Sequence, residues 1–218
     1  MSIKILLVDD HGILRSGVEL IINQTEDMEI IGQGCDGREG IELARKLKPD
    51  IVLMDITMPG LNGIDASKEI LRENPDIKVL ALSAHCNRRF VNEILKAGVS
   101  GYALKDGMAD ELIEAIKAVH AGKRYLSEKV SKLVVDEYAQ GRSSDSVEKP
   151  IDKLTTREKE LLQLIAENKT TKEAAKMLHV SVKTVEARRL NIMKKLGVSG
   201  IAELTKIAIR EGLTSIDF

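Results

Sequence analysis

The feature that most constrains this chain is an alternation, repeated five times over the first 122 residues, of short apolar runs with segments of helical period. Residues 3–8, 28–31, 51–54, 77–82 and 101–104 read as strands. The runs at 3–8, 51–54 and 77–82 are almost continuously apolar, as in parallel strands covered on both faces. Helix-period segments fall near 12–23, 37–47, 64–73, 88–97 and 109–121, with Pro49, Pro59, Pro75, Gly32, Gly34 and Gly98 at the joints. The sequence therefore predicts a doubly wound α/β domain, a five-stranded parallel sheet of order 2-1-3-4-5 in the flavodoxin-like manner.

A helical stretch near 127–139 follows, and then the polar, aperiodic segment Gln140-Gly141-Arg142-Ser143-Ser144-Asp145-Ser146, which reads as a linker. No strand pattern returns after Pro150. Thr155 or Thr156 is placed to cap a helix, and four helices fit near 157–168, 171–178, 182–196 and 201–211. The expected organisation is an α/β domain over 1–122, a helical segment and linker over 123–150, and an all-α domain over 151–218. Charge separates the parts. The whole chain carries −1, but residues 151–218 hold thirteen basic and nine acidic side chains, against twenty and twenty-five before them. A basic tail behind an acidic domain suggests nucleic-acid binding.

No apolar run approaches the ~20 residues of a membrane span, and Met1-Ser2-Ile3-Lys4 does not open like a secretory signal. Cys35 and Cys86 have no CxxC spacing and read as two buried free thiols in a reducing, cytoplasmic setting. Aromatic residues make up only 2%, so the cores must be aliphatic.

Asp9 and Asp10 follow the first strand, Asp55 the third, Ser83 closes the fourth and Lys105 the fifth. In the expected strand order the first and third strands are neighbours, so the three carboxylates converge where ligands of open α/β sheets bind. Three carboxylates that close repel one another unless a cation relieves them, and hard oxygen donors with room for water suit Mg²⁺. A hydroxyl and an ammonium beside a metal-bound carboxylate form a site for a phosphoryl group.

A rival pattern is Gly32-Gln33-Gly34-Cys35-Asp36-Gly37, a GxGxxG after a strand with Asp55 about twenty residues on, the outline of a dinucleotide-binding fingerprint. It follows the second strand rather than the first, and leaves Asp9, Asp10, Ser83 and Lys105 without a role. Gly32, Gly34 and Gly37 are better read as glycines of a tight strand-to-helix turn.

Residues 171–196 read as helix, short turn, helix. Val182, Val185, Ile192 and Leu196 are spaced to form the buried stripe of the second helix. Ser181 caps it and, with Thr184, can donate to phosphate, while Lys183, Glu186, Ala187, Arg188, Leu190 and Lys194 lie toward the outward face. Such a helix fits the DNA major groove.

Two stretches resemble known families. Val8-Asp9-Asp10-His11, Met54-Asp55 through Asn62-Gly63, Leu82-Ser83-Ala84 and Ala97-Gly98 through Leu104-Lys105 resemble bacterial response-regulator receiver domains. Leu154-Thr155-Thr156-Arg157-Glu158, Lys172-Glu173-Ala174-Ala175 and Val182-Lys183-Thr184-Val185-Glu186 through Gly197-Val198 resemble the LuxR-type helix-turn-helix, and the whole is similar to the NarL/FixJ family. The resemblance implies a two-component response regulator that accepts a phosphoryl group on Asp55 from a sensor histidine kinase. Asp10, Asp55 and the backbone carbonyl of Thr57 would hold Mg²⁺, with Asp9 acting through water. Lys105 would bind a phosphoryl oxygen, and Ser83 and Tyr102 would move together as the switch. It further implies a homodimer on phosphorylation, double-stranded DNA with two-fold-related half-sites, and RNA polymerase as a further candidate partner. A receiver acting through protein contacts, with a degenerate C-terminal module, is the alternative. The chain departs from the pattern in Asp106 after the lysine and Gly12 at the start of the first helix, where relatives often carry proline, and in Arg188, where they commonly carry histidine.

Overall fold

The structure, a computed structural model, describes residues 2–84, 86, 88–107, 109–139, 150–211 and 213–214. They form two compact units, one holding every strand and one all-helical from Pro150 onward. The linker expected at 140–146 lies outside the described residues.

The first unit runs β1 (Ile3–Val8), α1 (Gly12–Asn23), β2 (Met28–Gly34), α2 (Gly37–Leu47), β3 (Ile51–Asp55), α3 (Gly63–Glu73), β4 (Lys78–Ser83), α4 (Arg88–Lys96), β5 (Gly101–Leu104), α5 (Ala109–His120), β6 (Tyr125–Leu126) and α6 (Glu128–Ala139). The sheet is parallel with order β2-β1-β3-β4-β5-β6, so five strands stand as the alternation requires and a sixth extends the edge. β6 is two residues long, too short to show a period, and pairs Tyr125 with Gly101 and Leu126 with Tyr102. β3 and β4 each reach one residue further than the apolar runs, so Asp55 and Ser83 are strand residues. Their backbones are fixed by the ladder, Asp55 facing Leu82 and Ser83 facing Leu104.

Ile5, Leu7, Leu53 and Leu80 pack with Val18 and Ile22 of α1 and Ile116 and Val119 of α5 in an aliphatic core. Each such buried side chain contributes about 1.5–3 kcal/mol of transfer free energy. Asp36 caps α2 by accepting from the amides of Arg38 (2.8 Å) and Glu39 (2.9 Å). This answers the dinucleotide reading, because the helix N-terminus that would cradle a pyrophosphate is occupied by a side chain of its own turn. Gly32 serves packing: a Cβ there would stand 2.5 Å from Leu47 Cδ1.

The second unit has a 3₁₀ turn (Pro150–Lys153) and helices α7 (Thr156–Ala166), α8 (Thr171–Met177), α9 (Val182–Leu196) and α10 (Ile201–Arg210). Thr155 and Thr170 each form a capping box, with Glu158 and Glu173 three residues on. α8 turns into α9 through His179 in the left-handed region (φ 53°), with the Val180 amide donating to the Ala175 carbonyl at 3.0 Å. Leu161, Leu164, Ala174, Val185, Ile192 and Leu204 are buried in its core.

Two sequence expectations are corrected. Cys35 and Cys86 are both exposed, because each sits in a loop beyond a strand end rather than in the sheet. Val182 is 40% exposed and outside the buried stripe of α9, since the first helical turn projects past the core that Val185, Ile192 and Leu196 reach.

Candidate metal centre and nucleic-acid interface

Because β1 and β3 are adjacent, their C-terminal ends bring Asp9, Asp10 and Asp55 to one rim at the point where the strand order reverses. Asp9 and Asp55 are essentially fully buried, while the Asp10 side chain is 29% exposed. Lys105, just past β5, places its ammonium 2.7 Å from Asp9 Oδ2 and 2.7 Å from Asp55 Oδ2. One ammonium is thus shared between two buried oxygens, neither of which accepts a well-angled hydrogen bond. Asp55 Oδ1 accepts from the Thr57 amide at 3.1 Å. Burial pushes the Asp55 carboxyl up to about 6, with Lys105 opposing and Asp9 adding to the rise. With all three acids ionised, three negative charges face the single positive charge of Lys105, leaving two uncompensated (3 − 1 = 2). A divalent cation would close this charge, and the clustered carboxylates are hard oxygen donors of the kind it takes.

Ser83 is buried on β4, and its carbonyl accepts from the Lys105 amide at 2.8 Å, which ties the lysine loop to the strand. Tyr102 is fully buried with its hydroxyl bonded to Ser83. Burial pushes that phenol up to about 12, the Ser83 bond opposing. The Tyr102 ring is thus turned inward. No cis peptide bond occurs among the described residues, so the loop through Asp106 is built from trans bonds.

Three residues of the site, Gly63, Asn62 and His11, stand in the quoted motifs but were given no role from the sequence. Gly63 starts α3 directly under Asp55, where a Cβ would lie 1.8 Å from the Asp55 carbonyl oxygen. Asn62 caps that helix. His11 places Nδ1 2.9 Å from Asp10 Oδ1 and 3.0 Å from Asp9 Oδ1. Its position directly after the aspartate pair was the available signal.

In the second unit Ser181 caps α9 by accepting from the Thr184 amide (3.1 Å), and the two hydroxyls pair with each other at 2.8 Å. Lys183, Glu186, Ala187, Leu190 and Lys194 are exposed, whereas Thr184 and Arg188 are half-buried. The position of α9 is set by Glu158: it binds the Thr155 amide (2.8 Å), Asn191 Nδ2 (3.0 Å) and Lys195 Nζ (2.6 Å). One carboxylate thus ties the first turn of α7 to the C-terminal half of α9. A surface helix carrying exposed cations, held to a rigid core, can lie along a phosphate backbone.

Comparison with known proteins agrees with this division. Residues 5–117 match the response regulator receiver domain, and residues 152–208 match the bacterial regulatory proteins of the luxR family. The chain is 36% identical to the transcriptional regulatory protein DegU of Brevibacillus brevis, over 99% of this chain and 96% of the relative. It is 38% identical to the transcriptional regulatory protein LiaR of Bacillus subtilis, over 98% and 100%. Among solved structures, the response regulator RcsB of Salmonella typhimurium matches with a TM-score of 0.59 at 28% identity, covering 94% of this chain and 97% of that one. RcsB has also been solved as a complex with DNA.

Proposed function

Because this chain belongs to the two-component response regulators, with a receiver domain and a LuxR-type DNA-binding domain, we propose that phosphorylation of Asp55 controls how it binds DNA. The observation that carries this reading is the buried Asp55 carboxylate beside Lys105, with two negative charges in excess at the strand ends. We read residues 1–122 as the receiver, 123–150 as the helical segment and linker, and 151–218 as the DNA-binding domain.

In the transfer, an Asp55 carboxylate oxygen attacks the phosphorus of a phosphohistidine on a sensor kinase. The new P–O bond forms as the P–N bond breaks, and the leaving imidazole takes up a proton. Asp10, Asp55 and the Thr57 carbonyl, with Asp9 through water, are the residues that would hold Mg²⁺, which supplies positive charge to the phosphoryl oxygens. Lys105 meets one further oxygen and Ser83 donates to another. The chain so assists its own phosphotransfer and dephosphorylation without being an enzyme in the usual sense. Ser83 bonded to Tyr102 is the route by which the new charge reaches the β5 surface. The shifted population is a homodimer on two-fold-related half-sites, contacting DNA through Ser181, Lys183, Thr184, Glu186, Ala187, Arg188, Leu190 and Lys194. Its place is the cytoplasm. No helix among the described residues is long and apolar enough to cross a membrane.

Incubation of the full chain with a small phosphodonor and Mg²⁺ should add one phosphoryl group, read by intact mass, and none to Asp55→Asn. Equal labelling of both proteins would overturn the assignment. Lys183→Ala should weaken binding to all DNA sequences and lower the salt-dependence slope by about one; an unchanged slope removes Lys183 from the phosphate contacts.

A further inference from the structure

We propose that Val182, Glu186 and Leu190 read base edges in the DNA major groove, Glu186 a cytosine and the two apolar side chains the methyl groups of thymines on either side of it. The inference rests on the reading of α9 as the helix that enters the groove, and names the bases that this helix selects. The three residues stand four positions apart on α9, so they form one ridge, with about 6 Å along the axis between successive members. All three project into solvent: Val182 is 40% exposed, Leu190 is 63% exposed, and Glu186 is exposed as well.

None of the three suits a phosphate backbone. Two are apolar and one is anionic, and an anion beside phosphates is repelled. The exposed cations that can hold the backbone stand toward the two ends of the ridge, Lys183 and Lys194, about 16 Å apart along the axis. The middle of the helix is thus left for the groove between the strands. Internal contacts do not account for the ridge. Glu186 forms no side-chain hydrogen bond or ion pair among the described residues, although Lys183 is one turn away. Leu190 points away from the buried stripe of Val185, Ile192 and Leu196, so the core does not use it.

Donor and acceptor chemistry then assigns the bases. An ionised carboxylate only accepts, and the donors in the major groove are the amino groups of cytosine and adenine. Adenine sets its amino group beside the N7 acceptor, which a carboxylate meets unfavourably, and guanine offers acceptors alone. Cytosine is therefore the partner of Glu186. Val182 and Leu190 carry no donor or acceptor. The apolar group that distinguishes one base from the others in this groove is the C5 methyl of thymine.

The test uses the full chain after treatment with a small phosphodonor and Mg²⁺. Sites are selected from random double-stranded DNA by the wild type and by Glu186→Gln. The wild-type site is then rebuilt with deoxyuridine, which lacks only the methyl group, in place of single thymines. We expect the wild type to select a cytosine with thymines on both sides, the three within about four base pairs. Glu186→Gln should lose the preference for that cytosine by about tenfold, with its salt-dependence slope unchanged. Deoxyuridine at either flanking thymine should weaken wild-type binding about fourfold. Val182→Ala and Leu190→Ala should each remove that penalty at one of the two thymines. The deoxyuridine measurement alters no protein, so it stands even where a variant folds poorly. If Glu186→Gln selects the same cytosine as the wild type, or if no deoxyuridine weakens binding, the ridge does not read bases, although the chain still binds DNA. If the wild type binds no DNA of any sequence, the DNA-binding reading fails and this inference falls with it.

Discussion

Asp55 in the receiver and Glu158 in the C-terminal unit are both buried carboxylates, and the two units treat them in opposite ways. Asp55 shares one ammonium with Asp9, has an oxygen without a good hydrogen bond, and is pushed up to about 6, chiefly by burial. Burial also acts to raise Glu158, but Lys195 and the amide and hydroxyl of Thr155 outweigh it and hold the carboxyl below its usual range. One acid is left incomplete and waits for a ligand. The other is saturated and acts as a staple. Burial of a charge therefore does not by itself mark a functional site; an unfilled coordination around it does.

Removal of each acid should break this contrast most sharply. Asp55→Asn should abolish phosphoryl incorporation and, in metal-free buffer at neutral pH, raise the midpoint of receiver unfolding. A carboxyl held about two pH units above its ordinary value costs up to about 3 kcal/mol when ionised. Because the folded state binds the extra proton, that part of receiver stability falls as pH rises from about 4 to about 6. Calorimetry in which Asp55→Asn keeps this fall intact would show that Asp55 is not its source. Gly63→Ala should cost about 3 kcal/mol, since its Cβ would collide with the Asp55 carbonyl; an unchanged melting curve would refute the proposed close approach.

Glu158→Ala should lower the stability of the C-terminal unit by about 2 kcal/mol, leaving Asn191 and Lys195 without their partner. Its pH dependence has the opposite sign. The folded carboxyl sits below its unfolded value, so this stability is present above pH 4.5 and is lost as pH falls through the folded value. If both units respond to pH in the same direction, the comparison is wrong. At the small end, Gly17→Ala in the interior of α1 should stabilise the receiver by about 0.5–1 kcal/mol, because the new Cβ meets nothing within 4 Å. It is a control for helix propensity, since no charged group is altered.

Much of this was legible in the chain. Near-continuous apolar runs at 3–8, 51–54 and 77–82 locate the central strands, and Asp10, Asp55 and Lys105 are then placed by strand ends alone. The Thr155–Glu158 spacing announces a capping box, which is present. Other features were not legible. β6 is too short for a period, and the exposure of Val182 depends on how far the core of its unit extends. Glu158 reads locally as a capping residue, and its bond to Lys195 spans 37 positions of sequence.

By itself the sequence determined the layered α/β domain, the helical domain behind it and the residues at the strand ends, because hydrophobic period and turn chemistry act over a few residues. Only the tertiary structure decided which charges are satisfied. It set Lys105 between Asp9 and Asp55, pointed His11 into the carboxylates and ran Gly63 under Asp55. Such facts depend on distances of a few ångströms between residues far apart in the chain, and on the loss of water around them, which no local pattern encodes.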